Sequence, residues 1–558
     1  MAISNSRIEK LAIFFFILSV LLLVRLFYLQ IMSGHQLALE GLSIRTQEVP
    51  ISIARGEVLD RNRYPLTNTS VKHSVLVFPS QLSPSVDYVD QLAGVTWLSN
   101  EDKFNLERID SHVPPFRLQN GVDSRTAAKI NNLGLPGIIA IAESKRYGNY
   151  ALAAHIVGYI NTTDNKGVSG IENMYDDFLR DNQPEYIAAL VDASQQLIPG
   201  LGYKRVKLDS GASHNNIILT IDKQVQQRVE EIMDRTIAKG SVIILKPSSG
   251  EILAMASRPN FDADHLSDYL QNPSAPLLNR TVVAYPPGSV FKLVVAAAAL
   301  EGKIFKPDDK FFDAGYIDVN NVRFQGWDYE QGPRGKMTFT DAVAYSSNPI
   351  LIQIALKLGA EKVMSMAKKM GFGQRTKLNF YGEAEGNLPE LAELFPADLA
   401  NLAIGQGVCE ATPLQIGQMI ATIVNDGVRA DPYIVSMITA PDGSIVKKYR
   451  QDMFSGQRVI SRETAEKLKE MMAAVTRYGT GKAAYVENDG SGGKTGSAET
   501  GRIDSAGKSI SHAWFAGYTP LAHPQYVIVV FIEEGMSGGN VAAPVFKEIA
   551  SELMKLNP

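Results

Sequence analysis

The sequence predicts a multidomain protein of α+β and α/β character. It has an N-terminal membrane-spanning helix, an elongated and mainly-β middle segment, and a C-terminal domain whose antiparallel sheet is flanked by helices. Three observations carry this expectation. Leu11 to Ile31 is an apolar run of 21 residues with one charge, Arg25, near its end. Residues 32–215 hold short strand-like pieces broken by Gly, Pro and Asn, without a continuous helical period. Residues 216–558 begin and end in strand-like runs with helical patterns between them, which reads as an antiparallel sheet closed by the two ends of its domain.

An apolar helix of that length crosses the hydrocarbon core of a bilayer, and Arg25 can snorkel to the interface. Arg7 and Lys10 precede the run and Arg45 is the first Lys or Arg after it, a bias that favours an inside N-terminus. No small-x-small cleavage site follows Ile31, so an uncleaved anchor is expected rather than a signal peptide. The expected organisation is a cytoplasmic tail (1–10), a transmembrane anchor (11–31), a middle segment (32–215) and a C-terminal domain (216–558), with everything after the anchor outside the cytoplasm.

A chain of 558 residues with ordinary globular composition holds two or three domains. Its net charge of −4 is spread without a basic stripe, which argues against a nucleic-acid partner. Cys409 is the single cysteine, so an internal disulfide and a cysteine-based metal site are excluded, and its small neighbours predict a packed thiol. No second histidine stands at metal-ligand spacing from His155, which is expected to be structural. No metal or cofactor is expected.

Within 32–215, Arg55 to Asn62 alternates charged with apolar residues and by itself reads as a solvated strand and turn. A new pattern begins at Asn216–Asp222, followed by a helix to about Ala238. Ser241–Lys246 and Glu251–Ala256, joined by Pro247-Ser248-Ser249-Gly250, predict a hairpin. Helices are expected at about 289–302, 339–358, 360–371, 413–427, 462–476 and 543–556, and strands around Lys494, at His512–Tyr518 and at Tyr526–Glu533.

The chemistry centres on Tyr285 to Leu300. A Pro-Pro-Gly break there precedes Ser289 and Lys292, which open an uncharged, alanine-rich helix. Residues three apart share a helix face, so a hydroxyl can lie beside an amine whose burial suits it to act as a base. S-x-x-K also occurs at Ser365/Lys368, Ser444/Lys447, Ser491/Lys494 and Ser505/Lys508, but those copies lie in charged helical or turn sequence. Two further stretches stand out. Ser346, Ser347 and Asn348 interrupt a helical pattern, and Lys494, Thr495, Gly496 and Ser497 follow a Gly-Gly pair and lead into strand-like sequence.

The ordered set S-x-x-K, S-x-N and K-T-G-[ST] resembles the serine penicillin-recognising enzymes. Arg55 to Asn62 resembles R-G-x-[IV]-x-D-R-[ND] near the start of class B penicillin-binding proteins, where it belongs to a non-catalytic pedestal of the dimerisation type. Glu143–Tyr147, Ala154–Gly158 and Gly170–Glu172 look like further pedestal pieces. KPSSGEILAMASRP, LAIGQGVCEATPLQ and HAWFAGYTP look like family blocks, and no glycosyltransferase domain of the class A kind is found in 32–215.

The resemblance implies a β-lactamase-like serine transpeptidase domain in a single-pass protein of the bacterial cell membrane. Its activity would be peptidoglycan D,D-transpeptidation in cell-wall synthesis, with division, elongation (cell shape) and sporulation all open as the process served, and with covalent inhibition by β-lactams. Implied partners are peptidoglycan stem peptides, β-lactams, the membrane, and a SEDS-type glycosyltransferase with other cell-wall synthesis proteins. By the same resemblance Ser289 is the nucleophile, Lys292 its base and Ser346 the proton carrier. Asn348, Lys494, Thr495, Gly496 and Ser497 bind substrate, with the backbone N–H groups of Ser289 and Ser497 as oxyanion hole. A D,D-carboxypeptidase stays open as an alternative. A β-lactamase needs a water-activating glutamate, for which Glu383 and Asn387 have the E-x-x-x-N spacing. A β-lactam sensor needs several spans and a cytoplasmic module, for which ten residues before the anchor leave no room.

Overall fold

The apolar run folds as helix α1 (Asn5–Phe27), continued by a π turn over Tyr28–Met32. Every described side chain from Lys10 to Tyr28 is exposed, and Lys10–Met32 has a mean hydropathy of 2.6. A helix that exposes Leu, Ile and Phe on all sides needs an apolar surrounding. The computed structural model describes residues 5–556 except 33–45, 52–54, 68, 109–112, 119–120, 149–151, 162–163, 182–184, 193–196, 199–201, 208–213, 450–455 and 506. Arg45, used above for orientation, and the approach to the expected boundary near 215 lie outside the described residues.

The chain divides into two units. One comprises Met1–Ala54, Thr69–Arg146 and Asp181–Ser213, and the other Arg55–Asn68, Tyr147–Arg180 and His214–Pro558. In the first, Thr46–Pro50, Glu185–Leu190 and Tyr203–Lys207 form one antiparallel sheet. Phe116–Arg117, Ser70–Val77 and Ile138–Lys145 form another. Alternation along the Ser70 strand sends Val75 and Val77 to one core and Leu76 with Phe78 to a second. The strands join three helices that the mainly-β expectation did not include: Tyr88–Ala93, Asn100–Glu107 and Ser124–Asn132. Each is short and opens on an Asp or Ser cap, the kind of element that hydrophobic periodicity over a long window overlooks.

The second unit is built on helix α2 (Lys223–Thr236), strands β1 (Gly240–Leu245) and β2 (Ile252–Arg258), helices α3 (Lys292–Glu301), α4 (Asn348–Leu358), α5 (Pro413–Val424) and α6 (Arg462–Arg477), strands β3 (Gly492–Ile503), β4 (Ser509–Thr519) and β5 (Tyr526–Ile532), and helix α7 (Ala543–Leu556). The sheet order is β2-β1-β5-β4-β3, antiparallel throughout, so the first strands meet the last as expected. Both faces are covered. Val242, Ile244, Ile528 and Val530 point to a core shared with α2 and α7, while Ile243, Leu245, Val527, Val529 and Phe531 point to one shared with α3, α5 and α6.

Arg55 to Asn62 departs from its solvated reading. The Arg55 side chain is 3% exposed and pairs with Glu172 at 2.6 Å and Asp176 at 2.7 Å. Val58 and Leu59 run parallel to Ile217 and Ile218. The Asp60 carboxylate accepts from the backbone N–H groups of Asn62, Tyr64 and Lys223. A Cβ at Gly56 would lie 1.9 Å from the Asn215 carbonyl oxygen, which only glycine permits. Arg55–Asn68 and Tyr147–Arg180, which precede the expected boundary near 215, therefore pack with the unit that carries 214–558. The pairing partner of Arg55 lies 117 residues away, beyond the reach of any local pattern.

Candidate active site

Pro286 and Pro287 halt the preceding segment, and Gly288 takes φ +53° to start a 3-10 turn over Gly288–Val290 that leads directly into α3. Ser289 thus stands one turn before the α-helix proper rather than inside it. The turn is clamped on both sides. The Gly288 N–H donates to the Gly405 carbonyl at 3.0 Å, and the Trp514 indole donates to the Pro286 carbonyl at 3.0 Å. Ser289 is half-buried and lines a cleft of about 1330 Å³, together with Ser346, Asn348, Thr495 and Ser497.

Lys292 is fully buried at the start of α3. Its Nζ donates to the Ser346 carbonyl and to Asn348 Oδ1, both at 2.6 Å, and lies 3.2 Å from Ser346 Oγ. The expected pairing with the Ser289 hydroxyl is not among these bonds. Ser289 Oγ has no hydrogen-bond partner among the described residues, so the nucleophile candidate is the uncommitted member of the set. A neutral amine has two N–H groups and one lone pair. The carbonyl and the amide oxygen take the two N–H groups, and the lone pair is left to receive a proton. Burial, and then the charge of Lys494, push Lys292 well below the ordinary lysine range, against the opposing pull of Asp313 and Asp328.

Ser346 takes φ +58°, a left-handed conformation uncommon for a residue with a side chain, and this turns its carbonyl to Lys292. The helical pattern breaks here as the sequence indicated, with Phe339–Ala344 on one side and α4 on the other. Lys494, on β3 and also fully buried, donates to Ser346 Oγ at 2.8 Å and to the Thr495 carbonyl at 3.0 Å. Burial brings Lys494 down to about 7. Two lysines therefore converge on one hydroxyl. Once Lys292 has gained a proton its third N–H reaches Ser346 Oγ, which then accepts from both lysines and has its own hydrogen left to donate, so Ser346 is equipped to hand on a proton.

On β3, Thr495 Oγ1 lies 2.7 Å from Thr480 Oγ1, and the Gly538 N–H donates to Ser497 Oγ at 3.2 Å. Neither Thr480 nor Gly538 was singled out from the sequence, and no local motif marks them. At Gly496 a Cβ would come 2.9 Å from Val290 Cγ2 and 3.0 Å from the Pro287 carbonyl, so its missing side chain admits the nucleophile turn. Asn348 is also more occupied than expected, because its Oδ1 receives Lys292 while Nδ2 donates to the Gln325 carbonyl at 2.8 Å. One N–H of Nδ2 remains for a ligand.

Glu383 offers no water-activating base. It is buried, its carboxylate accepts from the Thr376 and Phe380 N–H groups at 2.8 and 3.0 Å, and it does not line the cleft. His155 is a core residue whose Nε2 donates to the Pro276 carbonyl at 2.7 Å, and Cys409 is a packed thiol. Among the described residues no group of His, Cys, Asp and Glu is arranged to hold a metal.

Residues 240–551 match the penicillin-binding protein transpeptidase domain model and residues 50–198 the penicillin-binding protein dimerisation domain model. Stage V sporulation protein D of Bacillus subtilis is 31% identical over 98% of this chain and 86% of its own length. A peptidoglycan D,D-transpeptidase FtsI homolog of Mesostigma viride is 28% identical over 99% and 96%. The crystal structure of penicillin-binding protein 3 from Mycobacterium tuberculosis, complexed with aztreonam, covers 91% of this chain and 97% of its own, with 26% identity and a TM-score of 0.64. Two buried lysines on one serine hydroxyl, beside an uncommitted serine on a clamped turn, are thus set in a chain that belongs to the class B penicillin-binding proteins.

Proposed function

We propose that this protein is a peptidoglycan D,D-transpeptidase held in the bacterial cell membrane by α1, with its catalytic unit outside the cytoplasm. The observation that carries the reading is the convergence of Lys292 and Lys494 on Ser346 beside the cleft-lining Ser289. Ser289 Oγ attacks the carbonyl between the two terminal D-alanines of a stem peptide, and its proton passes to neutral Lys292. The C–N bond breaks, and the departing amine takes a proton from Lys292 through the Ser346 hydroxyl. The ester on Ser289 persists until an amine of a neighbouring stem attacks it and restores the serine hydroxyl.

Protonated Lys494, with Thr495 and Ser497, suits the terminal carboxylate of the donor peptide. Asn348 Nδ2, with one N–H left over, suits the peptide backbone, and the N–H groups of Ser289 and Ser497 suit the oxyanion. The membrane partner that fits this role is a SEDS-type glycosyltransferase, tested by co-purification of the full chain from membranes. Acylation by a labelled penicillin, followed by tryptic mapping, tests the chemistry. The label belongs on Thr281–Lys292, bounded by Arg280 and Lys292. Label on a peptide from another S-x-x-K copy overturns the assignment, and rapid spontaneous loss of label turns the reading toward a β-lactamase. A reporter active only in the cytoplasm, fused after residue 558, is expected to be silent.

A further inference from the structure

Between α3 and Phe339–Ala344 the chain makes two small hairpins, pairing Lys310–Asp313 with Gly335–Thr338 and Tyr316–Val319 with Val322–Gln325. They bring two buried carboxylates, Asp313 and Asp328, toward Lys292. The two differ. Asp328 is neutralised by an ion pair with Arg334. Asp313, 3% exposed, makes no ion pair among the described residues; its Oδ1 accepts from the Gly315 N–H at 2.7 Å and its Oδ2 from the Ser347 hydroxyl at 2.6 Å. A buried carboxylate without a contact cation is costly unless something else in its surroundings compensates it.

Ser347 is the residue between Ser346 and Asn348. Its hydroxyl donates to Asp313 and accepts from the Ile350 N–H at 3.3 Å, capping α4. One side chain therefore pins the turn from behind, while Ser346 on one side holds its strained φ and Asn348 on the other receives Lys292. A left-handed serine persists only where its neighbours over-determine it.

We propose that Asp313 is a positioning residue for the reaction, holding the Ser346–Asn348 turn against Lys292 through the Ser347 hydroxyl and setting a carboxylate beside that lysine. The inference rests on the transpeptidase reading of the same site. The groups bearing on Lys292 are Lys494 from β3, which favours its neutral form, and Asp313 and Asp328 from the hairpin segment, which favour its charged form. Asp313 thus sets how much of Lys292 is neutral at a given pH, and Ser347 sets where the turn points.

Two variants separate these effects, each assayed as penicillin acylation rate per folded protein across pH, with thermal unfolding alongside. Asp313→Asn keeps the shape and removes the charge, so the pH midpoint of acylation is expected to fall by roughly one unit. Ser347→Ala keeps the charge and removes the link, so the plateau rate is expected to fall about tenfold or more with the midpoint unchanged. A lowered melting temperature with wild-type midpoint and plateau in both variants would mean a merely structural role and overturns the inference. Should Asp313→Asn fail to fold, Ser347→Ala decides, and a wild-type plateau there overturns it. Absence of label on Ser289 in the wild type would instead sink the functional reading itself.

Discussion

Arg55 and Lys292 are both buried cation-bearing side chains in the same unit, yet their surroundings differ. Arg55 meets two carboxylates, Glu172 and Asp176, and donates further to the carbonyls of Asn165 and Glu172. Every charge there has an opposite within contact. Lys292 meets only neutral oxygens, and the next amine, Lys494, has the same sign. A closed, neutral cluster fastens segments distant in sequence. Burial without a contact counter-charge drives the lysines of the open cluster off their ordinary protonation states, which is what proton transfer at neutral pH requires.

The largest expected effect breaks the open cluster. Lys292→Ala removes the base and is expected to slow acylation by about 10²- to 10⁴-fold while the protein stays folded, as read by penicillin labelling beside circular dichroism. An acylation rate near that of the wild type would show that the lysine is not the base. Breaking the closed cluster does the reverse. Arg55→Ala leaves two carboxylates without their cation and is expected to cost about 3–5 kcal/mol of stability in urea unfolding, with acylation per folded molecule unchanged.

A third test uses a buried group that is held neutral. Burial lowers His155 from 6.5 to about 4, so the unfolded chain binds its proton first as pH falls. The stability linked to His155 is complete above pH 6.5 and is lost between 6.5 and about 4, amounting to about 3 kcal/mol. The wild type is expected to lose that much more than His155→Gln over the same range in parallel urea titrations. The smallest effect sharpens the view of the open cluster. Lys494 titrates at about 7, and its protonated form binds the carboxylate of a penicillin, so apparent affinity should weaken by up to about tenfold per pH unit above 7. A flat affinity between pH 6 and 9 would remove Lys494 from carboxylate recognition.

Most of the central sheet and its helices were legible because periodicity is local: β1, β2, β5 and α7 fall where alternation and helical spacing put them. The three motifs were legible for the same reason, since each is a short run with its own turn chemistry. What escaped was pairing at a distance. Asp313 is an ordinary residue in a short strand until its bond to Ser347, 34 positions on, is seen. Helix Pro396–Ala403 was not among the expected helices, and the crowding of Gly496 against the nucleophile turn is invisible to local pattern because that turn lies far back in the chain, at Pro287–Val290. Lys292 shows the same limit at short range. Helical spacing brought it to Ser289, whereas its hydrogen bonds go to a different helix start.

The position of β5 has a consequence for how the molecule comes into being. This strand lies between β1 and β4, and although β2 pairs one edge of β1 at once, the other edge is met only at Val527. The sheet therefore has no centre until Tyr526–Ile532 has been made, and β1 waits with one edge unpaired, a template for wrong partners. A chain cut short before Tyr526 holds all three active-site motifs and still lacks the strand that joins β1 to β4, so it is expected to be inert.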